Sequence, residues 1–192
     1  MKKLTVIFFF LGVLVFAQKP SKVLPASSSV QFWMHQVVDN EPSSNMGTIK
    51  VKSGKFTFGN NSKIEEGEVL LDMRSLTNSD LPADEMAALT KRLRSSDYFF
   101  VKKYPFAKFT LKKIESRPNE EFNSIIWADL SMHGRTHTIT FPANVMVNGK
   151  KVSIESDKFQ LNRQDYDIFY RSSRPNIFIK DEIVFKLTFV TK

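Results

Sequence analysis

Apolar residues recur at every second position through most of this chain, and a period of two constrains its fold more than any other feature. Ile183, Phe185, Leu187 and Phe189 alternate with Val184, Lys186, Thr188 and Val190. That spacing puts one residue set on each face of a strand. The same alternation runs through Val30, Phe32 and Met34, through Ile49 and Val51, and through Phe56 and Phe58. It returns in Ile126, Ala128, Leu130 and Met132, in Val152 and Ile154, and in Phe159 and Leu161. Turn signals separate the runs: a loop over Asp39–Asn45, a turn at Gly59–Ser62 and a hairpin at Asn148-Gly149. Gly54 marks a bulge or bend. About eight strands result. Joining them in parallel would require repeated crossover helices. One segment reads as a helix, so the fold is antiparallel, a barrel or a sandwich.

That helix falls within Ser79–Arg94. Met86, Leu89 and Leu93 share one face, Asp84 and Glu85 open it, and Lys91, Arg92 and Arg94 end it, as the helix dipole favours. Pro82 suits the first turn. Such a helix either covers a barrel end or packs on the outer wall.

A chain of 192 residues can bury a full core in one domain without disulfides, and this one has no cysteine. It has 18 Phe against 4 Tyr and 2 Trp, so its aromatic surface is almost free of polar atoms; that suits a thick core or a greasy cavity wall equally. At the N-terminus, Lys2 and Lys3 precede an apolar run from Leu4 to Phe16, and Ala17 follows. This is the pattern of a secretory signal, with residues 1–17 removed and 18–192 forming the domain. Periplasmic or secreted placement is therefore expected. The net charge of +8 includes the leader's two lysines; the remaining excess favours anionic partners, an anionic membrane surface among them.

Enzymatic chemistry finds no foothold. There is no cysteine nucleophile, no G-x-S-x-G elbow, no H-E-x-x-H and no phosphate-binding glycine loop. His133 and His137 flank Gly134 between β segments, which breaks the helical logic of an i, i+4 ligand pair; no metal site is expected. Asp165 and Asp167 lie in one segment and lack the opposed placement of glycosidase carboxylates. Arg163, Arg171 and Arg174 either bind an anionic headgroup or pair with Asp165 and Asp167. Aromatic and basic residues interleave between Lys102 and Lys113, but Phe109 and Leu111 have the parity of inward residues, so nucleic acid is not an expected partner.

Three stretches in order, Leu93–Leu111 (LRSSDYFFVKKYPFAKFTL), Ala128–Gly134 (ADLSMHG) and Leu161–Ile168 (LNRQDYDI), resemble the YceI-like family. The resemblance covers nearly all of residues 18–192. It implies an all-β fold, an extended eight-stranded antiparallel lipocalin-like β-barrel with one main amphipathic α-helix. It also implies a hydrophobic channel for polyisoprenoids, isoprenoid quinones or other long-chain lipids, and a possible homodimer. The chain departs from the family pattern in three places. Ala26–Ser29 replaces Asp-x-x-His, Leu89–Leu93 replaces Arg-Asp-x-His-Leu, and Asp167 stands where a glycine is usual.

The expected function is noncovalent capture of such a lipid without catalysis or cofactor. Each methylene moved from water into an apolar channel contributes roughly 0.8 kcal/mol. The candidate lining residues are Phe109, Leu111, Ile126, Leu130, Phe141, Phe185, Leu187 and Phe189, with Tyr98, Arg163 and Arg171 near the headgroup. The alternative is a structural or protein-interaction module whose barrel is filled by its own side chains.

Overall fold

The computed structural model describes residues 20–59 and 62–192; the leader and its cleavage point lie outside these. Ten strands form one sheet: β1 (Ser21–Lys22), β2 (Ser29–Val38), β3 (Glu41–Phe58), β4 (Ile64–Asn78), β5 (Phe106–Ser116), β6 (Ser124–Met132), β7 (Arg135–Asn148), β8 (Lys151–Ser156), β9 (Phe159–Asn162) and β10 (Ile177–Val190). Helix α1 (Ala83–Arg94) lies between β4 and β5.

The wall runs β3, β2, β10, β8, β7, β6, β5, β4 and returns to β3. All pairings are antiparallel. The barrel is closed and has eight wall positions. β8 and β9 share one of them: β8 pairs with Thr188–Val190 and β9 with Glu182–Phe185. β1 adds two residues along β3. Closure leaves the barrel wall without a free edge. The alternation read from the sequence becomes an inside and an outside, most strictly in β6, where Ser124, Ile126, Ala128, Leu130 and Met132 are buried and the residues between them are not.

Two turns differ from the sequence reading. Val38 pairs with Glu41, so the expected Asp39–Asn45 loop shrinks to Asp39-Asn40, both at positive φ (52° and 70°). That is a type I′ turn. Glu41–Asn45 is strand because β2 supplies its hydrogen-bonding partners, whereas its own polar, proline-containing sequence carries no alternation. At the other hairpin Asn148 pairs with Lys151, so the turn residues are Gly149-Lys150 and Gly149 alone has positive φ, 60°. This is a type II′ turn, shifted one residue from the Asn-Gly expected. Near Gly54 the β3–β4 register slips between Val51 and Ser53, the irregularity that the glycine suggested.

α1 packs along β4 at one end of the barrel. Its Leu93 is buried, Met86 and Leu89 are half-buried, and Arg94 Nε donates to the Leu76 carbonyl at 2.8 Å. The turns that follow bury Tyr98, Phe99 and Val101 in the same core, so helix and turns together roof this end.

Two inward glycines make room for phenylalanine rings. A Cβ on Gly47 would stand 2.2 Å from Phe32 Cζ, and one on Gly67 would stand 2.5 Å from the Phe56 ring. Both rings are essentially unexposed and have nowhere to move. Gly47→Ala is therefore expected to destabilise the fold by about 1–3 kcal/mol, the usual cost of overpacking. Urea unfolding with unchanged m-value checks this, and an exposed Gly149→Ala control tests only its turn strain.

Candidate functional site

The barrel interior is layered, and three strands of the wall show the layers. On β7 the inward residues run Ile139, Phe141, Ala143 and Val145; on β5 they run Phe109, Leu111 and Ile114; on β4 they run Met73, Leu71, Val69 and Gly67 to Ile64. The residues nearest the roofed end surround a central void. The next layer, which includes Val69, Leu111, Ile126 and Phe141, closes it from the opposite side. Beyond that layer Val23, Phe56 and Val152 are buried, and a solvent-open groove follows between Ile64, Ile114, Val145 and Val147.

The void is small. Its volume is about 20 Å³, and its wall is wholly apolar, with contributions from Val30, Ile49, Met73, Ala107, Met132 and Phe159 among others. About 10–15 Å³ suffices for the centre of one water, whereas an engineered cavity of about 150 Å³ accepts benzene. The rings of Phe109, Phe141, Phe159, Phe185 and Phe189 fill the space around it. Phe141 stacks on Phe159 at 4.5 Å with a 14° tilt, and Phe109 meets Phe189 edge-on at 5.4 Å.

Of the eight lining candidates, Phe109, Leu130, Phe185, Leu187 and Phe189 border the void. Leu111, Ile126 and Phe141 are buried in the closing layer and do not border it. Alternation found the face in every case; it carries no information about depth along the barrel axis. Met73 ends the short strand that the sequence shows over residues 68–73 and carries no mark of its depth, and Ala107 is too small to stand out.

At the roofed end the inner faces turn polar. β9 presents Phe159 and Leu161, and Arg163 follows directly after it; β10 presents Phe185, Ile183 and then Asp181. The Arg163 side chain is fully buried. Its Nη2 stands 2.6 Å from Asp181 Oδ1, close enough for an ion pair though off hydrogen-bond alignment. Nη1 donates to the Ile168 carbonyl at 2.8 Å and Nε to the Lys180 carbonyl at 3.3 Å. The expected pairing of Arg163 with Asp165 or Asp167 does not occur: Asp167 instead accepts from Arg135 Nε at 2.6 Å. Asp167 has φ 57°, which explains why a glycine suits that position; aspartate is among the few other residues that tolerate it. Asp181 was legible in principle, since it continues the inward parity of Ile183 and Phe185.

Tyr98 lies against this pair, its ring 5.9 Å from the Arg163 guanidinium carbon and 5.7 Å from the Tyr170 ring. Its hydroxyl is buried without a hydrogen-bond partner, and burial pushes the phenol up to about 12, with Arg163 pulling weakly the other way. Burial raises the Tyr166 phenol as well. Arg171 is exposed on the surface and does not join the cluster. His133 Nδ1 lies 2.7 Å from the Tyr166 carbonyl, so this histidine ties the β6–β7 turn to the roof. Among the described residues no three His, Asp or Glu side chains are placed to hold a metal ion.

Arg163→Met is expected to destabilise by about 3 kcal/mol because it leaves Asp181 half-buried without a counter-charge; adding Asp181→Asn restores most of that loss. A denaturation double-mutant cycle measures it. For Tyr98, the folded chain holds the phenolic proton more tightly than the unfolded chain. Its stabilisation is therefore complete below the unfolded value near 10 and is lost as pH rises toward 12. Melting temperature should fall between about pH 9 and about pH 12, and fall less steeply in Tyr98→Phe.

Comparison with known proteins agrees with this architecture. The YceI-like domain model matches residues 22–191. A UPF0312 protein of Photorhabdus laumondii is 33% identical over 105 residues, covering 54% of this chain and 50% of that protein. One of Pseudomonas putida is 34% identical over 106 residues, with the same coverage. The chain thus matches about half the length of these relatives. Among solved structures, Burkholderia cenocepacia BcnA superposes with a TM-score of 0.66 at 18% identity, over 88% of this chain and 99% of that one. A polyisoprenoid binding domain from Saccharophagus degradans, implicated in plant cell wall breakdown, superposes with a TM-score of 0.63 at 14% identity, over 91% and 99%. These likenesses establish the fold, and the family match spans almost the whole described chain: it belongs to the YceI-like domain family.

Proposed function

We propose that this protein binds a long apolar molecule inside the barrel and carries or stores it without chemical change. The observation that bears this reading is the wholly apolar, all-round lining of the central void, in a family whose fold is shared by a polyisoprenoid binding domain. The ligand class is a long-chain lipid: a polyisoprenoid, an isoprenoid quinone or a fatty acid derivative. The basic, apolar, small-residue pattern of residues 2–17 supports export, so the site of action is the periplasm or the exterior.

A void of 20 Å³ admits no such chain at rest, so capture is coupled to side-chain movement. The wall suits that demand. Met73 and Met132 are unbranched and adaptable, and the Leu and Phe side chains lose little by trading one apolar neighbour for another. The backbone ladder carries no share of the rearrangement.

The same small void favours a second reading, a filled barrel that serves as an interaction module. The two separate experimentally. Native mass spectrometry and solvent extraction of protein purified without detergent should recover a bound lipid. Ala107→Ile, which grows a side chain into the void, should lower its occupancy several-fold while the far-ultraviolet spectrum stays unchanged. Lipid-free protein that also fails to bind long isoprenoids or fatty acids would sink the carrier reading, as would occupancy indifferent to Ala107→Ile.

A further inference from the structure

The end of the barrel opposite the roof has a chemistry that neither a sealed core nor an ordinary solvated rim requires. β6 begins at Ser124, opposite Ala143 of β7, so the β7–β8 hairpin projects beyond it from Asn144 onward. Asn123 follows β7 past that point: its N–H donates to Asn144 Oδ1 at 3.2 Å, and its side chain donates to the Val145 carbonyl at 3.0 Å and accepts from the Val145 N–H at 2.9 Å. The projecting tip exposes Met146 by 62% and Val147 by 42%, two of the four large apolar side chains most open to solvent among the described residues. At its base a groove of about 310 Å³, open to solvent, is lined by Ile64, Ile114, Val145 and Val147 together with Ser62, Lys63 and Ser116.

Charge at the tip is one-sided. From Pro142 to Ile154 the sequence has no carboxylate and two lysines, Lys150 and Lys151. Neither lysine makes an ion pair among the described residues. Of the carboxylates on neighbouring elements, Glu115 is held by Lys113 and Arg117, and Glu120 by Arg117. Glu66 accepts from Thr57 Oγ1, and Glu65 and Glu121 face solvent. The roofed end also exposes Phe169 and Phe178, and Phe178 shares an open groove with Asp39, Asn40 and Asn176.

We propose that the β7–β8 hairpin tip and the groove beside it dock on an anionic phospholipid bilayer, with Met146 and Val147 entering the headgroup region and Lys150 and Lys151 meeting lipid phosphates. The role this gives the groove, receiving a lipid directly from the membrane, rests on the carrier reading above. Exposed apolar side chains flanked by lysines are what such a surface recognises, and each lysine near it strengthens binding roughly fivefold.

The chain has no cysteine, so Met146→Cys and Phe178→Cys each provide a single thiol for an environment-sensitive fluorophore, one at each end of the barrel. Full chain from an exporting host is mixed with vesicles of phosphatidylcholine alone or with phosphatidylglycerol. The label at 146 should shift to the blue and gain protection from an aqueous quencher on the anionic vesicles, and the label at 178 should not. Lys150→Ala with Lys151→Ala should weaken the response by roughly 25-fold at low salt and by less as salt rises. Equal or stronger response at 178, no response at 146, or a shift at 146 that follows protein concentration without vesicles would each overturn the proposal, the last in favour of self-association. Lipid extraction from the same preparations keeps the two readings apart. Docking without cargo leaves this surface standing and removes the carrier, and cargo without docking does the reverse.

Discussion

Everything in this molecule follows from the pairing of β3 with β4. These two strands are neighbours in sequence and also the seam at which the sheet closes on itself, with contacts from Gly47–Asn78 to Phe58–Ile64. Without that seam the sheet would be open, with two long edges of unpaired backbone groups. With it, every second side chain from eight wall positions is directed into one narrow cylinder. An interior of that width, eight strands around, is about what side chains alone can fill. The phenylalanine surplus is the sequence's answer to that geometry: Phe packs densely and brings no polar atom that would need a partner inside.

The cylinder is not uniform along its axis, and the polarity gradient gives it a direction. At the roofed end Arg163, Tyr98 and Tyr166 are buried, with half-buried Asp181 against Arg163. Burying a charge is costly unless it is paired and hydrogen-bonded, and Arg163 meets that condition through Asp181 and two carbonyls. The pair adds little net stability compared with an apolar substitute, but it cannot be broken cheaply. It therefore fixes where β9, β10 and the roof meet and blocks that end to an apolar guest. The opposite end has no buried ion pair among the described residues. Past the layer of Leu111, Ile126, Val69 and Phe141 it is filled by Val23, Phe56 and Val152, beside a buried hydrogen bond between the Ser21 and Thr191 hydroxyls at 2.7 Å.

The sequence revealed the inside of the barrel because burial on one face imposes a period of two, visible wherever large residues hold the inner positions. Ile126–Met132 and Ile183–Phe189 are clear for that reason. The signal fails where inner positions are small or polar: Gly47 and Gly67 are inward because neighbouring rings need their space, and Ala107 borders the void without any hydrophobic contrast. It fails again at Glu41–Asn45, where β2 makes a strand of a polar segment. Arg163 was identified as a headgroup candidate, but its true partner lies 18 residues away on another strand, and only the β9–β10 register brings the two together. Depth within the barrel separates Phe109 from Phe141 and is a property of strand stagger, which alternation cannot report.

A nearly filled resting interior need not contradict a carrying role, because the cost of opening depends on what the side chains leave and what they meet. In water, displaced Phe and Leu side chains would forfeit their burial, roughly 1.5–3 kcal/mol each. Displaced by a lipid chain, they exchange one apolar contact for another and forfeit little. On the carrier reading, the barrel is stable when empty and opens only for a guest that replaces the contacts it disturbs. A rigid hollow barrel would instead expose a dry apolar channel to solvent throughout its unloaded life. The same reading implies selectivity for flexible hydrocarbon, since a polar or stiff guest would not pass the layer around Phe141 while keeping its walls in contact.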